Sequence, residues 1–232
     1  MKAMILAAGL GTRLRPLTDT KPKTLIGFKG APLLEHVLTR LISFGINEVI
    51  INLHHFPEQI IEFLKSKNYF SIRIEFSHEP MLLDTGGGLK QAAWFFDDGQ
   101  PFVVHNVDVI SDIDLQKMLQ QHVQSQSLAT LAVNQRETKR YFIFDDTNRL
   151  CGWKSLLDGK EIVTRKPSGR TTDLAFCGIH LTSPVLLDRL TEVGKFSIVE
   201  SYLRLAGEGE AITAFRVDKY SWRDIGKFED VP

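Results

Sequence analysis

Cysteine is scarce: Cys151 and Cys177 are the two in 232 residues. That excludes a disulfide-stapled scaffold and a zinc site built from thiolates. The seven histidines show neither an HExxH pair nor any Cys/His ligand spacing, so no structural metal site is expected. Neither sign of charge is in surplus, with 28 Lys+Arg against 28 Asp+Glu. A nucleic-acid binder that works by neutralising phosphates needs a large basic excess, so that class is excluded. A zero total still leaves room for a small local cluster of positive charge. Long apolar runs are missing as well: the opening Met-Lys-Ala-Met-Ile-Leu-Ala-Ala-Gly is too short for a signal core or a membrane span. These absences predict a cytoplasmic protein with no membrane partner and no nucleic-acid partner.

What is present is an ordinary globular mixture, 43% hydrophobic and 24% charged, of a length that suits one α/β domain. The first half alternates apolar runs with helix-period segments, the βαβ signature. Strands are predicted at Ala3–Leu6, Val49–Leu53, Ile72–Phe76 and Phe102–His105. Helices are predicted over Pro32–Phe44, from Pro57, and from the Gly86-Gly87-Gly88 run through Ala93. The second half is less regular and richer in strands, with turn chemistry at Asp146-Thr147-Asn148 and Asp158-Gly159. The expected fold is α/β, a Rossmann-like, mostly parallel but mixed sheet flanked by helices, with a small β-rich insert in the second half.

The sharpest feature follows the first strand: Leu6-Ala7-Ala8-Gly9-Leu10-Gly11-Thr12-Arg13-Leu14-Arg15-Pro16-Leu17-Thr18, then Lys21-Pro22-Lys23. Small residues at a strand end let a ligand approach the backbone, and successive N–H groups in such a loop cradle anions. Arg13 adds a fork suited to phosphate oxygens and Lys23 a point charge. A Walker loop would need Gly-Lys-Ser/Thr where Gly11-Thr12-Arg13 stands, and a dinucleotide fingerprint would need Gly or Ala where Leu14 stands. A lone Gly-x-Gly can be nothing more than a tight turn; the coupled Thr-Arg…Pro-Lys string points to a nucleotide-phosphate site.

On these residues the sequence resembles the sugar-1-phosphate nucleotidyltransferases. Further landmarks recur in order: Asp84-Thr85-Gly86-Gly87-Gly88, Asn106-Val107-Asp108-Val109, Phe176-Cys177-Gly178-Ile179 and Trp222-Arg223-Asp224-Ile225-Gly226. Within the family it looks most like short bacterial members acting on N-acetylmuramate 1-phosphate or mannose 1-phosphate, without a C-terminal left-handed β-helix. The resemblance implies one domain over residues 1–232, a nucleotide-binding half to about 110 and a sugar-phosphate-binding half beyond. It implies a nucleoside triphosphate, UTP or GTP, and a sugar 1-phosphate as partners, in a monomer or homodimer. Asp108 and Asp224 would hold Mg²⁺, which favours an octahedral set of oxygens. Arg13 and Lys23 would carry the catalysis. Leu6, Ala7, Ala8, Gly9, Gly11 and Thr12 would bind nucleotide, and Thr85, Gly86, Gly87, Asn106, Lys166 and Gly178 would complete the substrate site. The glycines at 86–88 would let base and sugar come close to backbone. Glu79 stands at the base-reading position. A carboxylate only accepts hydrogen bonds, which suits guanine, whereas the Thr-Gly-Gly-Gly run resembles the uridylyl-transferring members. The base stays open between them.

The pattern is broken at three places. Val107 stands where relatives often carry Gly, Arg165-Lys166-Pro167 where several have Glu-Lys-Pro, and Lys227-Phe228 replaces the common Thr-Pro. His54, His55 and His105 read as packed or hydrogen-bonded histidines. Trp94-Phe95-Phe96 reads as core, and Arg136, Lys139, Arg140 and Tyr141 as a solvated strand edge. Two other classes compete with an enzyme of this family. A non-catalytic sugar-nucleotide sensor would explain the glycine loop but not Arg13, Lys23, Asp108 and Asp224 together. An NAD-linked oxidoreductase lacks the sixth-position glycine.

Overall fold

The computed structural model describes residues 1–226. The Lys227-Phe228 pair therefore lies outside the described residues. In chain order the elements are strand β1 (Lys2–Leu6), the short hairpin β2 (Gly27–Phe28) and β3 (Ala31–Pro32), helix α1 (Leu33–Ser43), β4 (Glu48–Leu53), α2 (Pro57–Ser66), β5 (Arg73–His78) and α3 (Asp84–Gln91). There follow β6 (Phe102–Asn106), β7 (Val109–Ser111), α4 (Leu115–Gln124), β8 (Ala129–Asn134), β9 (Arg140–Asp145), β10 (Leu150–Ser155), β11 (Glu161–Val163) and the long β12 (Thr171–Thr182). The chain closes with α5 (Val185–Asp188), α6 (Ile198–Gly207), β13 (Ile212–Arg216) and β14 (Trp222–Asp224).

A ten-stranded mixed sheet is the frame, with order β11-β10-β9-β12-β6-β1-β4-β5 and β8 joining β12 to β13. The strands β5, β4, β1 and β6 pair in parallel, whereas β12 runs antiparallel to β6, β8 and β9. The insert expected in the second half is the meander β9-β10-β11 with the early part of β12. Among the described residues, no helix is long and apolar enough to cross a membrane.

Alternation along the strands sorts side chains to two faces. Met4 of β1 joins the cluster that α3 and α6 cover with Leu89, Ile198 and Tyr202. Ala3 and Ile5 join the opposite cluster, covered by Leu34, Val37, Leu38 and Leu41 of α1, Ile60 and Leu64 of α2, and Met118 of α4. The i, i+3, i+4, i+7 spacing of the α1 residues gives that helix its buried stripe, and Gly45 with φ +76° terminates it. A third, small cluster of Leu14, Ile26, Phe28, Leu33 and Ile225 lies under the glycine loop. Leu14 follows Arg13 and Ile225 follows Asp224, so this cluster fixes where the side chains of Arg13 and Asp224 start.

Two readings of the sequence differ from the structure here. The triple glycine lies inside α3 rather than opening it, because the helix begins at Asp84 and ends at Gln91. Trp94 is 56% exposed, whereas Phe95 and Phe96 are buried as expected.

Candidate active site

β1, β4 and β6 end side by side, and a cavity of about 330 Å³ opens at their carboxyl ends, where open α/β sheets bind ligands. Leu6, Ala8, Gly9, Glu79, Thr85, Asn106 and Asp108 line it, together with Asn52, Leu82, Asp84 and Lys195. At Gly9 nothing would meet an added Cβ within 4 Å, so this glycine faces open space. Gly11 is different. Its φ is +64°, and a Cβ there would lie 2.8 Å from Thr18 Cγ2 and 3.1 Å from Lys23 Cβ. It is needed for the turn itself, which Thr18 closes by donating its hydroxyl to the Gly11 carbonyl at 2.9 Å. Thr12 and Arg13 follow in one turn of 3-10 helix and are exposed.

Glu79 lines the cavity but both its carboxylate oxygens are engaged within the protein. Asn52 Nδ2 donates to Oε1 at 2.7 Å and the Leu83 N–H donates to Oε2 at 3.0 Å. Asn52 in turn accepts the Ala7 N–H on Oδ1 at 2.6 Å. Glu79, expected at the base-reading position, thus anchors a buried relay that fixes the loop after β1 through Asn52. Ala7 accordingly turns its N–H into the protein, although Ala8 and Gly9 beside it face the cavity. Asn52 was missed in the sequence; its signal was a lone amide in the apolar run Val49-Ile50-Ile51-Asn52-Leu53.

The charged residues meet at one edge. Lys23 makes an ion pair with Asp108, and both side chains are mostly buried. Asp108 immediately precedes β7, and its carbonyl accepts the Ile225 N–H at 2.8 Å. Asp224 sits opposite Val109 in the β7–β14 ladder, so residues 108 and 224, more than a hundred positions apart in sequence, come from adjoining strands. Trp222 anchors that ladder by donating Nε1–H to the Cys177 carbonyl at 2.8 Å, while the Arg136 guanidinium lies 4.0 Å over its ring. A Cβ at Gly226 would lie 2.5 Å from Asp224 Oδ1 and 3.1 Å from Arg13 Nη2, so carboxylate and guanidinium converge there.

Hard oxygen donors from two acids fit a divalent cation such as Mg²⁺. Among the described residues no group of three or more His, Cys, Asp or Glu gathers in a metal-holding arrangement. The remaining ligands would therefore come from phosphate oxygens and water, as Mg²⁺ commonly takes them.

Asn106 is held from two sides. His105, pushed down to about 4 by burial, is neutral and donates Nδ1–H to the Asn106 carbonyl at 2.7 Å. Gly178, with φ +73°, lies where a Cβ would come 2.8 Å from Asn106 Nδ2. Gly178 thus makes room for the Asn106 side chain. Val107, the first departure from the family pattern, buries its side chain in the α1-side cluster and does not crowd the cavity.

The glycines of α3 also meet protein. An added Cβ at Gly86 would overlap the Phe196 ring, and at Gly87 it would lie 2.5 Å from the Gly194 carbonyl oxygen. Gly88 packs against Glu79 and Asn52. The missing side chains of Gly86 and Gly87 let residues 194–198 dock on α3. The docking is a backbone clasp, with Phe196 N–H on the Leu83 carbonyl (3.1 Å), Gly86 and Gly87 N–H on the Phe196 carbonyl (3.0 and 3.3 Å), and Ile198 N–H on Thr85 Oγ1 (3.0 Å).

Lys166 is not brought to this cavity. It is exposed on the segment after β11, the strand that ends the sheet five places from β1. Its neighbour Arg165 pairs with the fully buried carboxylate of Asp145 and donates Nε–H to the Leu150 carbonyl at 3.0 Å. The guanidinium that replaces the family's glutamate is therefore a brace of the insert.

The nucleotidyl transferase family matches the chain over residues 2–231. Mannose-1-phosphate guanylyltransferase 1 of Arabidopsis thaliana is 32% identical over 237 residues, covering 99% of this chain and 62% of that protein. UTP–glucose-1-phosphate uridylyltransferase of Synechocystis sp. is 29% identical over 248 residues, covering 99% of this chain and 61% of that protein. The chain thus spans a little under two thirds of these relatives. In structure it resembles HddC of Yersinia pseudotuberculosis complexed with GMP-PN, with a TM-score of 0.78 at 23% identity over 99% of this chain and 95% of that one. It also resembles the inositol-1-phosphate CTP transferase of T. maritima, with a TM-score of 0.78 at 16% identity over 100% and 91%. Those two likenesses speak for the fold. A family match over that span makes the chain a member of the nucleotidyl transferase family.

Proposed function

We propose that this protein transfers a nucleotidyl group from UTP or GTP to a sugar 1-phosphate, releasing pyrophosphate and an NDP-sugar. The observation that carries the reading is the meeting of two cation–carboxylate sets, Lys23 with Asp108 and Arg13 with Asp224, at the edge of a cavity into which Gly9 leaves open space. Relatives with guanylyl and uridylyl activities support the reaction class.

The nucleophile in this reaction is a phosphate oxygen whose second pKa is about 6, so it is already ionised at neutral pH. No general base is required. The work left to the protein is alignment and charge neutralisation. Ala8 and Gly9 present backbone to the nucleotide. The Arg13 fork holds the leaving pyrophosphate, and the Lys23 ammonium offsets charge at the α-phosphate and the attacking phosphate. Asp108 and Asp224 would hold Mg²⁺, which when bound supplies further neutralisation of the crowded phosphates.

Lys23→Ala and Asp108→Ala should each lower turnover by about 10²-fold or more, the usual scale for losing such a group, with circular dichroism unchanged. Near-normal turnover in either variant would overturn the reading.

A further inference from the structure

Among the described residues, Lys195 is the one cavity-lining residue drawn from the second half of the chain. It makes no ion pair among the described residues. Its position is nevertheless built. The Phe196 N–H to Leu83 carbonyl bond joins the residue after Lys195 to the residue before Asp84, so the two charged residues flank one hydrogen bond of the clasp. On the far side of the same loop, Lys90 Nζ donates to the Glu192 carbonyl at 2.7 Å and Arg204 bonds the Glu192 carboxylate at 3.0 Å. Asp84 has φ +61°, a conformation costly for a residue with a Cβ, and it lines the cavity while its Oδ1 accepts its neighbour Thr85's N–H at 2.6 Å. Lys195 and Asp84 share the cavity with Asp108 but are not part of its ion pair with Lys23.

Resting on the transfer reaction proposed above, we propose that Lys195 and Asp84 read the sugar of the acceptor. Lys195 donates to, and Asp84 accepts from, hydroxyl groups on the ring of a neutral hexose 1-phosphate. A donor beside an acceptor matches hydroxyls, each of which can both give and take a hydrogen bond. The opposite charges of the two side chains leave no net charge to attract an acidic sugar. The α3 glycines acquire a purpose in this account: they admit the clasp that carries a second-half lysine to the cavity.

The test is steady-state kinetics on wild type, Lys195→Met, Lys195→Arg and Asp84→Asn, with each substrate varied in turn. Asparagine tolerates the left-handed conformation, so the last variant tests the charge rather than the backbone. Lys195→Met and Asp84→Asn should raise the acceptor KM by about 10- to 100-fold, the range for a hydrogen bond to a charged group. The triphosphate KM should stay within about twofold and the thermal midpoint within error, and Lys195→Arg should recover part of the loss. The inference is overturned if the triphosphate KM rises instead, if neither KM moves, or if the defect follows a fall in thermal midpoint. A wild-type preference for a uronic acid 1-phosphate over neutral hexose 1-phosphates also overturns it. If wild type binds triphosphate by calorimetry yet transfers to no acceptor, the transfer reading fails first and takes this inference with it.

Discussion

Glu79→Gln separates two roles for the same side chain. As a base reader, Glu79 would matter to one nucleotide more than another and little to folding. As the anchor of the Ala7–Asn52–Glu79 relay, it matters to folding and to every nucleotide alike. Glutamine keeps the length and one carbonyl oxygen, which can still accept from Asn52 Nδ2. Its NH₂ then points at the Leu83 N–H, which sits 3.0 Å from Oε2 in the wild type. Two donors face each other at a position that is 3% exposed, so water cannot repair the loss. A buried donor left without an acceptor costs about 1–3 kcal/mol, and losing a charged acceptor falls at the upper end. Urea unfolding should therefore show about 2–3 kcal/mol less stability at an unchanged slope. Turnover with GTP and with UTP should fall by the same factor, about tenfold, because the loop carrying Ala8 and Gly9 loses its brace. Unchanged stability together with a switched GTP/UTP ratio would refute the relay and restore Glu79 as the base reader.

Gly86→Ala should destabilise by about 1–3 kcal/mol, since its Cβ would overlap the Phe196 ring. In an open helix the same change would stabilise by roughly 1 kcal/mol, so the sign of the urea result tests the clasp. For Asp145, burial raises the carboxyl, but bonds from Thr147, Ser168, Arg149 and Arg165 outweigh it and hold the group well below the usual carboxylate range. Its stabilisation is complete above about pH 4 and is lost as pH falls through the depressed value. Asp145→Asn should cost about 3 kcal/mol at pH 7 in denaturant titrations, with the gap to wild type narrowing in acid. Burial lowers His105 and His122 to about 4 and His180 to about 3, so these rings fold neutral. The unfolded chain binds their protons from about pH 6.5 downward, so stability should fall between pH 6.5 and 4 by up to about 1.4 kcal/mol per pH unit per histidine. A flat profile in that window would contradict this.

The parallel half of the sheet was readable because β1, β4 and β6 are apolar runs bounded by turn residues, β5 alternates Ile72, Ile74 and Phe76 with polar residues, and α1 keeps a full helical stripe. The pairing of β7 with β14 was not readable. Each has three residues, too few to show a period, and they find each other only through the fold. That pairing is what brings Asp224 beside Asp108. Gly9 and Gly11 look alike in sequence, yet one faces open space and the other meets Thr18 and Lys23. The triple glycine was legible as an anomaly in a helix, but its cause is Phe196, more than a hundred residues away. Lys195 gave no local signal at all: it is a lone lysine after Thr191-Glu192-Val193-Gly194, and the clasp brings it to the cavity.

The most direct test of the central claim follows the α-phosphate. The protein is supplied with UTP or GTP labelled at that position and with a panel of sugar 1-phosphates, with Mg²⁺ or with a chelator. Label should pass into an NDP-sugar, with pyrophosphate released in equal amount, only when triphosphate, acceptor and Mg²⁺ are all present. Tight binding of an NDP-sugar with no label transferred from either triphosphate to any acceptor would contradict the account.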